Sequence, residues 1–299
     1  MRIVIAGGSG FIGEKLTAFL VEEGHEVIIL TRQDRPSSGN VSYVTWLEVG
    51  TSPEEDIEEA DAFINLAGVS INDGRWSKSH QQEIYESRMT ATGELLRIIT
   101  ALPVKPAVLI NASAIGIYPA SEHKVYTEES QERAEDFLAK TVIDWEAKAN
   151  QASAQSIRTV FVRLGVVLGN EGGALPLMVL PYKLFAGGTV GSGEQWVSWI
   201  HVRDAIRAIV YLLENEQLSG PINLTAPTPI KMRDFGRTIG AVLQRPHWLP
   251  VPSFALKLIL GQKSALVLEG QHVVPQKLLA AGFSFQFASL QHALEDILL

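Results

Sequence analysis

The residues of this chain best suited to hold a ligand are Gly7, Gly8, Ser9, Gly10, Phe11, Ile12 and Gly13. Their spacing satisfies Gly-x-Gly-x-x-Gly from Gly8 and Gly-x-x-Gly-x-x-Gly from Gly7. The run follows the apolar Ile3-Val4-Ile5-Ala6 and opens an amphipathic stretch, so it reads as strand, tight turn and helix start. Side chains here would hold a diphosphate away from the main-chain amides of the helix N-terminus, and Gly13 permits close packing of that helix on the sheet. Gly7, Ser9, Gly10, Phe11, Ile12 and Gly13 are the candidate dinucleotide contacts. A bare βα turn uses the same residue types, and the placement after a first strand favours the dinucleotide. Glu14 stands where a nucleoside-triphosphate loop needs lysine, which removes that alternative.

The choice of dinucleotide turns on the end of the second apolar run, Val27-Ile28-Ile29-Leu30. An acidic residue there would accept from ribose hydroxyls. Thr31 and Arg32 follow instead, and a guanidinium pairs with a 2′-phosphate. The expectation is NADP(H), with NAD(H) the second choice; Asp34 stands close enough to complicate the reading.

These residues need a frame. Ala62-Phe63-Ile64-Asn65, Ala107-Val108-Leu109-Ile110 and Thr159-Val160-Phe161-Val162 are further strand candidates, nearly all apolar, as strands covered on both faces must be. Helical segments are expected near 11–23, 78–102 and 131–154. Strand-helix alternation gives an α/β fold: a Rossmann-type doubly wound parallel sheet with helices on both faces. The dinucleotide-binding domain is expected over 1–165. Past Arg163 the texture changes. A Gly- and Pro-rich stretch over 169–193 is followed by helices over 201–214 and 232–243, a short strand at 222–224 and three helical patches. These make a smaller mixed C-terminal substrate lobe over 166–299, some of whose elements return to the main sheet.

The chain has 299 residues, 46% hydrophobic and 19% charged, so a core of ordinary size is available. There is no cysteine, which removes disulfides and thiolate chemistry together. A net charge of −8 argues against nucleic acid as a partner. No signal peptide or membrane-spanning stretch is read, and the histidines lack metal-ligand spacing. The expectation is a cytoplasmic protein without a metal or a membrane, acting on a small-molecule substrate. The last helix either closes the second lobe or meets another subunit in a homodimer.

Taken together, several motifs resemble the extended short-chain dehydrogenase/reductase superfamily, and within it the atypical, nucleoside-diphosphate-sugar epimerase-like branch. They are the glycine run, Asn65-Leu66-Ala67-Gly68, Arg75-Trp76, Ser87-Arg88, Ser113-Ala114-Ile115-Gly116-Ile117-Tyr118, Trp145-Glu146, Arg163-Leu164-Gly165, Gly191-Ser192-Gly193, Trp199-Ile200-His201-Val202 and the 275–283 stretch. The resemblance implies that Leu66, Ala67, Gly68 and Arg88 line the cofactor. Close packing of a helix over Ala67 and Gly68 is the alternative. It also implies that Ser113 occupies the catalytic serine position and Tyr118 that of an aromatic facing substrate.

One departure is serious. Active members place tyrosine four residues before lysine on one helix, where the ammonium lowers the phenol pKa. No Tyr-x-x-x-Lys occurs in this chain; Lys140 has Asp136 four residues earlier. Either the proton moves by another route, with Tyr118 or Tyr126 as donor, or the protein binds cofactor without turnover. Trp145 is expected in the core or a pocket wall, and Glu146 as a pocket base or, by preference, a helix-surface salt-bridge partner. His201 with Asp204 is expected to cap and pack. Gly187, Gly188 and the 191–193 stretch read equally as a mobile substrate loop or a glycine hairpin.

Overall fold

The computed structural model describes residues 1–33 and 35–299, so Asp34 lies outside the described residues. Seven strands form one parallel sheet: β1 (Arg2–Ala6), β2 (Glu26–Thr31), β3 (Val41–Thr45), β4 (Ala62–Asn65), β5 (Val108–Ala114), β6 (Arg158–Leu164) and β7 (Gly220–Leu224). Their spatial order is β3-β2-β1-β4-β5-β6-β7. The order reverses between β1 and β4, and all carboxyl ends share one edge, which is where such sheets take ligands.

The principal helices are α1 (Phe11–Glu22), α2 (Lys78–Ala101), α3 (Phe137–Ala149), α4 (Leu175–Lys183), α5 (Val202–Glu214), α6 (Met232–Leu243), α7 (Ser253–Leu260) and α8 (Leu290–Leu298). Strand residues point alternately to opposite faces. Ile3, Ile5, Val27, Ile29 and Ile64 therefore join one core with Leu16 and Leu20 of α1 and Ile206 and Ile209 of α5. Val4, Ala6, Ile28, Leu30 and Phe63 join the other, with Leu95, Ile98 and Ile99 of α2 and Ala149 of α3. A doubly wound α/β sheet is thus the fold expected. The third strand, Val41–Thr45, was not among the expected strands, because its partly exposed edge position needs no continuous apolar run.

Helix α3 starts at Phe137 and not near 131, because the Asp136 carboxylate accepts from the amides of Leu138 and Ala139 and so caps it. The second part of the chain builds its own core from Leu175, Val179 and Tyr182 of α4, Phe235 and Ile239 of α6 and Leu290 and Leu294 of α8. Helix α5 and strand β7 return to the main sheet. No described helix is long and apolar enough to cross a membrane.

Candidate functional site

The glycine run joins β1 to α1 at the point where strand order reverses. Gly7 has φ +83°, and a Cβ there would lie 2.6 Å from the Leu66 carbonyl carbon. A Cβ at Gly13 would lie 2.2 Å from the Gly7 oxygen, so these two positions require glycine simply to fold. Gly10 differs. A Cβ there would meet only the Gly7 oxygen at 3.4 Å, and Gly10 and Ser9 are exposed. Gly10 is the N-cap of α1 and caps no amide with a side chain, which leaves an open cradle of main-chain N–H groups. The residues present fit a diphosphate.

The Phe11 ring is taken up elsewhere. Gly169 and Gly172 close round it, their Cβ positions lying 2.5 and 2.7 Å from ring carbons, and a Lys15–Glu171 ion pair fastens that loop to α1. What Phe11 and Ile12 offer a ligand is therefore main chain. Thr31 ends β2, its hydroxyl accepting from the Gln33 amide, and Arg32 is exposed beyond it.

Beyond β4, Leu66 and Ala67 back the Gly7 turn. Gly68 packs on Arg88, whose Nη1 donates to the carbonyls of Val69 (3.1 Å) and Ile84 (2.9 Å). Among the described residues no carboxylate forms an ion pair with Arg88, and its guanidinium lies 5.1 Å over the Trp145 ring. Burial pulls its pKa down to about 10.

A buried polar row crosses the sheet at the carboxyl ends. Ser113, Arg163 and Asn223 are register partners on β5, β6 and β7 and point to one face. Glu146 of α3 covers the row: it accepts from the Ser113 hydroxyl at 2.5 Å and from Arg163 Nε and Nη2 at 2.8 Å each. The Arg163 pKa is raised; burial opposes the charge, and the bidentate Glu146 pairing outweighs it. Arg163 Nη1 donates to the Tyr118 hydroxyl at 2.7 Å, and that hydroxyl lies 3.0 Å from both the Thr127 carbonyl and the Asn223 side-chain oxygen. Deeper in, Asn65 donates to Thr92 and Asn111, and the Trp145 indole donates to Thr92.

Two expectations change. Glu146 is not a helix-surface partner; it is the partly buried counter-charge of Arg163 and the acceptor of Ser113. Tyr118 does not face an opening: its ring is fully buried and stacked on Tyr126 at 5.2 Å, and burial raises its pKa. Lys140 is exposed and does not stand in for the missing lysine. Trp145 is in the core, as read. His201 caps α5 through the Arg203 amide and stacks on Phe287 at 3.8 Å, while Asp204 accepts from the amides of Gln286 and Phe287. Gly187 and Gly191 are pinned to the 247–251 segment: the Gly187 carbonyl accepts from Trp248 and Leu249, and the Gly191 amide donates to Val251. Sequence reasoning missed Arg163 and Asn223 as site members; their trace was a polar residue closing an otherwise apolar strand.

Comparison with known proteins agrees with the fold. The family model of the NAD dependent epimerase/dehydratase family matches residues 3–224, and a domain of unknown function, DUF1731, matches 251–297. Epimerase family protein YfhF of Bacillus subtilis is 48% identical over 299 residues, covering 100% of this chain and 98% of the relative. The crystal structure of human epimerase family protein SDR39U1 with NADPH superposes with a TM-score of 0.90 at 35% identity, covering 99% of each chain. That of a nucleoside-diphosphate sugar epimerase from Corynebacterium glutamicum superposes with a TM-score of 0.80 at 30% identity, covering 100% of this chain and 58% of the other.

Proposed function

The chain belongs to the NAD dependent epimerase/dehydratase family, and from that premise we propose that it is an NADP(H)-binding, epimerase-like oxidoreductase acting on a small polar substrate, a sugar nucleotide being the leading class. The observation that carries the reading is the open glycine cradle at Gly10, roomy where a diphosphate would lie and packed tight at Gly7 and Gly13. NADPH in the SDR39U1 structure and the exposed Arg32 at the end of β2 support the phosphorylated cofactor.

When bound, a nicotinamide dinucleotide supplies hydride transfer. The chain supplies the rest. Gly7, Ser9, Gly10, Phe11, Ile12 and Gly13 offer main-chain groups to the diphosphate. Leu66, Ala67 and Gly68 wall the dinucleotide, Thr31 and Arg32 receive its adenosine end, and Arg88 offers a positive charge that no carboxylate among the described residues pairs with. Ser113 is the proposed catalytic hydroxyl. With its hydrogen directed at Glu146 Oε1, its lone pairs are available to a substrate O–H, and Glu146 is the group to which that proton can relay. Tyr118 acts as a positioning residue, holding Arg163 and through it Glu146.

A second reading is favoured by one observation: the Tyr118 and Tyr126 rings are buried and Lys140 is exposed, so none of these three offers the missing tyrosine-lysine pair at the sheet edge. On that reading the chain binds cofactor as a regulatory or scaffold protein. Calorimetry with NADPH and NADH, followed by turnover assays against carbonyl compounds and sugar nucleotides, separates the two. Absence of NADPH binding overturns both, and binding without turnover across the panel selects the second.

A further inference from the structure

Helix α7, with sequence Ser-Phe-Ala-Leu-Lys-Leu-Ile-Leu, is among the most apolar helices of the protein, yet none of its residues is buried. Phe254 is 75% exposed, Leu258 on the next turn 84% and Ile259 63%; Trp248, just before the helix, is 65% exposed. Exposures this high belong to side chains standing out from the surface, not to the lining of a cleft.

The apolar face continues onto α4. Leu177, Leu180 and Leu184 recur along one side of that helix, and Phe185 follows them; all four are more than half exposed. The two segments are tied together: the Trp248 indole donates to the Phe185 carbonyl at 3.0 Å, and the Arg245 guanidinium lies 4.4 Å from the Phe185 ring centre. Exposed apolar surface of this kind marks an interaction site.

Its charges identify the occupant. From Gly172 to Gly193 and from Gln244 to Leu268 the charged residues are Lys183, Arg245, Lys257 and Lys263, with no Asp or Glu, in a chain that carries 33 acidic and 25 basic residues. Lys263 is turned inward onto the carbonyls of Asn72 and Gly74, whereas Lys183, Arg245 and Lys257 are exposed. A second copy docked by a two-fold axis would bring these cations against one another. Protruding Trp, Phe and Leu side chains ringed by Lys and Arg match the headgroup boundary of an anionic bilayer, which needs no shaped pockets to receive them.

We propose that the α4–α7 face is a peripheral membrane-docking surface that inserts Trp248, Phe254, Leu258 and Ile259 into the boundary of an anionic lipid leaflet. Co-sedimentation of the full chain with phosphatidylglycerol/phosphatidylcholine vesicles and with phosphatidylcholine vesicles tests this. Binding to the anionic vesicles, weakened at about 0.5 M salt, is expected. The double variant Phe254→Glu/Leu258→Glu abolishes it while circular dichroism and melting stay as in the parent. Lys257→Glu lowers partition at least about tenfold. Failure to bind anionic vesicles, equal binding to neutral ones, or binding untouched by the double variant overturns the proposal. So does a dimer in light scattering that the same double variant dissolves, which would assign the face to a second copy.

Discussion

The Ser113 hydroxyl donates to Glu146 Oε1 across 2.5 Å, joining the end of β5 to a helix whose carboxylate is already clamped by Arg163. The contact places a proton-accepting group at the serine without any tyrosine-lysine pair. It also makes Glu146 serve two purposes, neutralising a buried guanidinium and orienting a hydroxyl, and the two can be separated by substitution.

Glu146→Ala leaves Arg163 buried without its counter-charge and is expected to cost about 3–5 kcal/mol of stability. Ser113→Ala removes one hydrogen bond and is expected to cost about 1 kcal/mol. Urea unfolding measures both. If the proposed chemistry holds, Ser113→Ala also lowers kcat by about 10²–10⁴-fold while NADPH affinity stays within about twofold. Equal stability losses for the two variants would contradict the ion-pair account.

Gly10 and Gly13 separate binding from folding. Gly13→Ala forces a Cβ to 2.2 Å from the Gly7 carbonyl oxygen and should destabilise the protein by about 1–3 kcal/mol. Gly10→Ala meets nothing closer than 3.4 Å, so its melting temperature should stay near the parent's while calorimetry shows weakened NADPH binding. A Gly10→Ala variant that binds NADPH undiminished would remove the cradle from the site.

Arg32→Ala tests cofactor preference. Loss of a charge-assisted contact to the 2′-phosphate is worth about 1.5–3 kcal/mol, or roughly a 10- to 150-fold rise in Kd for NADPH, with NADH little changed. A parallel weakening of both dinucleotides would place the adenosine phosphate elsewhere.

His201 predicts a pH dependence. Burial lowers its pKa to about 4, against an ordinary value near 6.5, although Asp296 opposite favours the charged form. The unfolded chain therefore binds the extra proton first. The stabilisation is present in full above about pH 6.5 and is lost as pH falls toward 4. Unfolding free energies between pH 7 and 5 should slope downward with acid. His201→Asn, which keeps a cap for α5, should flatten that slope; an unchanged slope would assign the acid sensitivity to other groups.

Much of this architecture was legible because it is local. The apolar runs at Ile3, Val27, Ala62, Val108 and Thr159 specify strands covered on both faces, and α2, α5 and α6 fall where periodicity puts them. Short edge and lobe strands such as Val41–Thr45 were not, since their residues are partly exposed and carry no periodic signature. The start of α3 was misplaced because a single carboxylate, Asp136, decides it.

The glycine turn, the switch in texture after Arg163 and the absence of a Tyr-x-x-x-Lys pair can be read from residues adjacent along the chain, because each depends on nothing else. Which polar groups meet follows from the packed fold alone. Parallel register brings Ser113, Arg163 and Asn223 into one row from three strands, and the crossover helix between β5 and β6 lays Glu146 against Ser113 and Arg163. Side-chain partners across a sheet follow from crossover lengths and strand order, and neither quantity is written in any one segment.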